Sequence, residues 1–160
     1  MFLELDQIFL KTWTKNQEHK VAELINLSPT EAFTFLEKDK DAIHIDVRSS
    51  MEFLFVGHPV GAIHIAWIDE PDWEINPTFV SEVAQALNKK LSVVSENKGS
   101  PIILICRSGK RSKLAGELLL DSGFTHVAHI NEGFEGEQDE KHHRGSVGGW
   151  RFHQLPWEQC

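Results

Sequence analysis

The sequence predicts an α/β fold: a central, mostly parallel sheet of about five strands with helices on both faces. Three observations predict it. Short apolar runs alternate with stretches of helical periodicity, as strands joined by covering helices do. The run Ile102-Ile103-Leu104-Ile105 is apolar at every position, so both of its faces need cover, as in a central parallel strand. Polar residues gather where strands end, with Asp46 and Arg48 after one and Cys106 after another. Ligands of open parallel sheets bind at those carboxyl ends.

Each element has its own signal. Leu24, Ile25 and Leu27 mark a short first strand. Ser28 caps the next helix, with Pro29 in its first turn, Glu31 three residues after the cap, and Ala32, Phe33 and Leu36 on its apolar side. AIHIDVR (42–48) is a strand that ends in polar residues. SSMEFLFVGH is a short helix or turn stopped at Gly57, and GAIHIAW (61–67) is another strand. DEPDWEINP is an irregular acidic connector. PTFVSEVAQALNKKLSVV (77–94) is a helix with Phe79, Val83, Ala86, Leu87 and Leu91 along one face. NKGSP breaks it ahead of the apolar strand. Leu114, Ala115, Leu118 and Leu119 space the following helix, which Gly123 ends. HVAHIN (126–131) is the last strand. EGEQDEKHHRGSVGG reads as a surface loop. Trp150, Phe152, Leu155 and Trp157 read as an apolar tail packed back on the body.

Bulk properties bound the function. A chain of 160 residues suits one domain, able to bury roughly 70% of the surface its unfolded form exposes. Residues 23–158 read as that domain and 1–22 as an N-terminal extension. The net charge of −8 argues against a nucleic-acid partner and against docking on anionic membranes. Any anion must therefore be drawn by a local cationic site. Cys106 and Cys160 are too few for a disulfide framework. MFLELDQIFLKTWTK carries Glu4 and Asp6 and lacks the basic-then-apolar layout of a signal peptide. No run approaches 18 apolar residues. The cytoplasm is the expected compartment.

The chemistry concentrates in CRSGKRS (106–112). A tight turn from a strand into a helix leaves backbone N–H groups without partners. Turned inward, they form an anion nest, reinforced by the positive end of the helix. A thiol at the base of such a nest ionises below its free value of about 8.5, and the thiolate is the nucleophile. Gly109 permits the path. Arg107, Lys110 and Arg111 raise the local potential, and with Ser108, Gly109 and Ser112 they are the candidate substrate contacts. A lone cysteine after an apolar strand is ordinarily an inert core residue. A packing cysteine, however, needs no cationic, glycine-containing loop opening directly into a helix.

CRSGKRS resembles the active-site loop of rhodanese-type sulfurtransferases. DVRSSMEFLFVGHPVGAIHI (46–65), NEGFEG and GGW…LPW resemble further segments of a bacterial single-domain subgroup, in the same order along the chain. The resemblance spans about residues 23–158 and implies a rhodanese-like fold. It also implies a reaction: Cys106 takes the outer sulfur of thiosulfate, or of a similar small anionic donor, as a persulfide. Cyanide or a thiol then accepts that sulfur. No metal or organic cofactor is implied. The alternative is a persulfide carrier that delivers sulfur to a protein partner. Phosphatases and arsenate reductases carry C-x5-R, whereas Cys106 to Arg111 is C-x4-R. A phosphoryl group has three equatorial oxygens to cradle and a sulfur atom is compact, so the shorter loop favours sulfur chemistry.

Other residues carry weaker signals. Asp46, Arg48 and Glu52 are expected to form a buried ionic cluster supporting the loop, since such groups are seldom buried unpaired. His64, Trp67 and Phe134 are candidates for the pocket wall, with core or rim packing as the alternative. Trp150 and Trp157 pose the same choice, and for them and Phe134 core packing is the stronger reading. His142 and His143 suggest a metal, but adjacent histidines face apart and no ligand set completes them, so solvated loop residues is the preferred reading. Cys160 is a terminal thiol, with sulfur relay from Cys106 as the sharper hypothesis.

Overall fold

The computed structural model of the chain describes residues 21–92 and 98–160. The N-terminal extension expected at 1–22 falls almost entirely outside this range, as does the end of the helix expected over 77–94. Strand β1 (Ile25–Leu27) leads into α1 (Pro29–Lys38). The expected cap forms: the Ser28 amide donates to Glu31 Oε2 (2.8 Å) and the Glu31 amide to Ser28 Oγ (3.3 Å). Such a capping box satisfies two otherwise orphaned helix donors.

Strand β2 (Ile43–Asp46) is followed by a π-helical segment, Glu52–Val56, then by β3 (His58–Pro59) and β4 (Ile63–His64). Helix α2 is Phe79–Leu91, β5 is Ile102–Ile105, α3 is Lys110–Asp121 and β6 is Val127–Ile130. A last short strand, β7 (Trp157–Glu158), pairs antiparallel with β3. The main sheet has five parallel strands in the order β1-β6-β5-β2-β4. The strand expected over 61–67 shrinks to Ile63–His64. Beyond it only single bonds continue the pairing, from the Ile65 amide to Asp46 O and from the Trp67 amide to Val47 O.

β5 is the middle strand, and all four of its residues are buried. Its alternate side chains feed two cores. Ile102 and Leu104 pack with Ile43, Ile45 and the apolar sides of α2 (Phe79, Val83, Leu87) and α3 (Ala115, Leu119). Ile103 and Ile105 pack on the other face with Ala32 of α1, Phe134 and Trp150. Burying each such aliphatic side chain contributes about 1.5–3 kcal/mol. The tail divides in two: Trp150 is buried, whereas Phe152 is 45% exposed and does not join the core. With the central strand closed from both sides, the sites open to chemistry lie at its carboxyl end.

Candidate active site

Cys106 follows directly on β5, one strand from the Asp46–Arg48 end of β2; Asp46 is in register with Ile105. The side chain is 1% exposed. The turn from Cys106 to α3 is held from behind by residues 134–136. Phe134 N–H donates to the Cys106 carbonyl (2.8 Å), and the Glu135 and Gly136 amides donate to the Arg107 carbonyl (3.0 and 3.2 Å). In a trans peptide the N–H points opposite to its C=O. The Arg107 and Ser108 amides therefore point away from that backing segment. The Gly109 amide donates to Cys106 Sγ at 3.1 Å. Helix α3 begins at once, so its positive end reinforces the same field.

Two glycines make the close fit possible. Gly109 has φ 93°, and a Cβ there would lie 2.1 Å from Asn131 O. Gly133 has φ 68°, and a Cβ there would lie 2.5 Å from the Arg107 carbonyl. Neither position has room or conformational licence for a side chain.

The charged groups pair differently from the single cluster expected of Asp46, Arg48 and Glu52. Asp46 and Arg48 form a closed pair with both side chains 0% exposed. Arg48 Nε donates to Asp46 Oδ1 (3.0 Å), and Nη2 donates to Oδ2 (2.7 Å) and to the Gly57 carbonyl (2.5 Å). The guanidinium also lies 4.4 Å from the Phe134 ring centroid. Glu52 instead binds Arg111 through two parallel bonds, Nη1–Oε2 at 2.8 Å and Nη2–Oε1 at 2.7 Å. Burial pushes the Glu52 carboxyl up, but the Arg111 hydrogen bond and charge outweigh it and bring it down to about 2. Burial likewise opposes charge on Arg111, and Glu52 overrides it, holding the guanidinium above its ordinary range. Arg111, expected as a substrate contact, is thus engaged in tying α3 to the π-helical segment. Arg107 and Lys110 are exposed and form no ion pair among the described residues, so they are the cations free to meet an anion.

Ser112, also expected as a substrate contact, is wholly buried behind the sulfur, 3.4 Å from Cys106 Sγ. Its hydroxyl lies 3.0 Å from His129 Nδ1, and His129 Nε2 lies 2.6 Å from Asn26 Oδ1. Neither His129 nor Asn26 stands out by spacing in the sequence. The available signal was a histidine inside the apolar strand HVAHI.

The residues expected to wall the pocket do not do so together. Trp67 is in the core, edge-on to Phe79 with centroids 5.2 Å apart. Phe134 is 0% exposed and lies beneath Arg48. Both take the core alternative. His64 stacks on Phe53 and bonds the Arg48 carbonyl through Nε2 (2.8 Å). It lines a cavity of about 450 Å³ with Ser50, Asp69, Asp72, Glu74 and Asn76, in which no residue of the 106–112 loop takes part. That cavity's carboxylates oppose an anionic ligand. Cys160 is exposed at the chain end beside the Leu54 carbonyl.

A cysteine set on a strand-to-helix anion loop, at the carboxyl edge of a five-stranded parallel sheet, defines a class of α/β protein. Within it, the chain belongs to the rhodanese-like domain family, whose model matches residues 28–140. It is similar to the uncharacterized protein RP600 of Rickettsia prowazekii, 30% identical over 138 residues that cover 83% of this chain and 96% of that one. The crystal structure of Rv0390 from M. tuberculosis superposes with TM-score 0.70 at 30% identity, covering 84% of this chain and 97% of that one. The polysulfide-sulfur transferase homodimer of Wolinella succinogenes shares the fold, with TM-score 0.56 at 19% identity and coverage of 96% and 90%. The family includes sulfurtransferases. No helix among the described residues is long and apolar enough to cross a membrane.

Proposed function

We propose that the protein transfers sulfane sulfur from thiosulfate, or a similar small anionic donor, to cyanide or a thiol through a persulfide on Cys106. The observation that carries this reading is the Gly109 amide on the Cys106 sulfur at 3.1 Å, in a loop whose first carbonyls face the other way. The arrangement favours negative charge in the loop, on the thiolate sulfur before transfer and on the outer, terminal sulfur of the persulfide after it. In the first half-reaction the thiolate attacks the outer sulfur of the donor. A Cys106 S–S bond forms, the donor's S–S bond breaks, and sulfite leaves with the electron pair. In the second, the acceptor attacks the outer sulfur of the persulfide and the Cys106 thiolate is released. Arg107 and Lys110 orient the donor's sulfonate end. The four-residue spacing from Cys106 to Arg111 favours a sulfur over a phosphoryl substrate, because a phosphoryl group has three equatorial oxygens to cradle and a sulfur atom is compact.

The test is incubation with thiosulfate and cyanide, following thiocyanate, with mass spectrometry of the protein after thiosulfate alone. The expected result is sustained turnover and a gain of one sulfur atom on Cys106. Cys106→Ser abolishes both. A mass gain without turnover would replace the enzyme with a carrier that serves a protein acceptor. No gain, with hydrolysis of an aryl phosphate, would overturn the reading.

A further inference from the structure

The proposed chemistry leaves unused a hydrogen-bonded chain that starts at the Cys106 sulfur and ends at the surface. It runs from Sγ to Ser112 Oγ (3.4 Å), to His129 Nδ1 (3.0 Å), and from Nε2 to Asn26 Oδ1 (2.6 Å). Cys106, Ser112 and His129 are buried, and Asn26 is exposed. Asn26 and His129 face each other in the β1–β6 register, so the sheet itself sets the last contact. We propose that His129, acting through the Ser112 hydroxyl as a positioning residue, receives the proton that Cys106 gives up, with Asn26 fixing the imidazole for that task. The proposal rests on Cys106 being the nucleophile.

The direction of each hydrogen follows from the end of the chain. Asn26 presents an acceptor oxygen, so His129 Nε2 carries a hydrogen and the neutral ring offers a lone pair at Nδ1. Ser112 has two acceptors in reach, His129 Nδ1 (3.0 Å) and the Gly109 carbonyl (3.3 Å); its only hydroxyl hydrogen goes to Nδ1, the shorter contact, and a lone pair turns toward the cysteine S–H. All three hydrogens then point away from the sulfur. Ionisation is a double shift. The S–H bond breaks with its electron pair left on sulfur, and that proton joins Ser112 Oγ. The former hydroxyl proton passes to Nδ1. The products are a thiolate, an intact hydroxyl that now donates to it, and an imidazolium with both N–H groups satisfied. The thiolate then has two donors, Ser112 and the Gly109 amide.

Loss of the proton straight to solvent gives a poorer arrangement. Ser112 has one hydrogen, and if it turns to the thiolate, a neutral Nδ1 is left buried without a partner, which costs free energy. Burial, with the charge of Lys113, brings the His129 imidazole down to about 4, so an imidazolium there requires a negative charge beside it, which the thiolate would supply. The charged groups nearest this chain are Lys113 from α3, Arg111 with its partner Glu52 from the π-helical segment, and the Asp46–Arg48 pair at the end of β2; β1 and β5 add none.

The experiment is the pH profile of Cys106 alkylation by iodoacetamide, read from the mass of the Cys106 peptide so that Cys160 does not contribute. His129→Asn keeps an oxygen able to accept from Ser112 but cannot hold a proton. It is expected to shift the profile to higher pH and slow alkylation at neutral pH by about tenfold, the equivalent of about one pKa unit. Ser112→Ala should give the same loss, and the double variant no more than either single one, because the two act as one unit. A His129→Asn profile superimposable on the wild type would overturn the proposal. Should the variants not fold, nitrogen-15 NMR of the wild-type histidines decides. Nδ1 of His129 gains a hydrogen as Cys106 ionises and loses it once Cys106 is alkylated; a ring that stays neutral throughout would overturn the relay. Neither readout uses a sulfur donor. Persulfide failure with a shifted profile would therefore sink the transfer reading alone, and an unshifted profile with intact transfer would sink the relay alone.

Discussion

Arg48 and Arg111 each bind a carboxylate beside the Cys106 loop, and the two pairs are built differently. Arg48 and Asp46 are 0% exposed and come from a single strand end, two residues apart. Arg111 and Glu52 are 22% and 19% exposed and lie 59 residues apart in sequence. The first pair lies on the same strand end that the sheet places beside Cys106, and its guanidinium also holds the Gly57 carbonyl and faces Phe134. The second joins the first turn of α3 to the π-helical segment across open chain. Desolvation decides what each is worth. A fully buried charge left without its partner is costly, whereas a pair that water still reaches is screened. The comparison separates a foundation, which the fold cannot lose, from a clamp, which fixes the angle of the loop.

The largest expected effect breaks the foundation. Arg48→Met leaves Asp46 buried and unpaired, and a cost of about 3–5 kcal/mol is expected. Thermal unfolding should show a fall of roughly 6–20 °C, at about 2–4 °C per kcal/mol for a chain of this size. A fall of only a degree or two would show that the closed pair contributes little and would dissolve the distinction.

Glu52→Gln tests the clamp. A loss of about 1–2 kcal/mol is expected, since partly solvated charged hydrogen bonds contribute less than buried ones. A drop in transfer rate should exceed what the stability loss explains. The clamp also has a pH signature. The Glu52 carboxyl is lowered to about 2 in the folded protein from its ordinary value near 4.5. Its stabilisation is therefore fully present above about 4.5 and is lost as pH falls toward 2. Denaturant midpoints over that window should fall more steeply for the wild type than for Glu52→Gln. Parallel curves would show that Arg111 does not hold the carboxylate.

The smallest effect on stability, and a clear one on function, belongs to the unpaired cations. Arg107→Gln and Lys110→Gln should each change stability by less than about 0.5 kcal/mol, as exposed substitutions do. They should raise the KM for thiosulfate several-fold, more so at low salt, where the local field reaches farther. Unchanged KM in both would return donor binding to Arg111 and the loop amides, and would blur the contrast between clamped and free arginines.

Much of the site was legible before the fold. Ser28, Pro29 and Glu31 announced α1, and the capping box formed as expected. The CRSGKRS turn located the cysteine and its cationic surroundings, because a strand end, a glycine and a helix start are neighbours in the chain. Glu52 feels the charge of Arg48, as a cluster with Asp46 and Arg48 requires, but its hydrogen bonds go to Arg111. Asp46, Arg48 and Glu52 lie close in sequence, but β2 turns Asp46 and Arg48 together into the interior while the π-helical segment carries Glu52 outward to α3. Trp67 and Phe134 were ambiguous for a related reason: an aromatic residue after a strand packs inward or lines a mouth according to which helix covers it.

By itself the sequence determined the alternation of strands and helices, the central apolar strand, and the thiol at its end, since periodicity, capping and turn chemistry are properties of adjacent residues. Only the tertiary structure decided which carboxylate holds Arg111, how residues 134–136 turn the loop amides, and that His129 meets Ser112 and Asn26. Those contacts join residues as far as 103 positions apart, and strand order and register, not local preference, determine who meets whom over such distances.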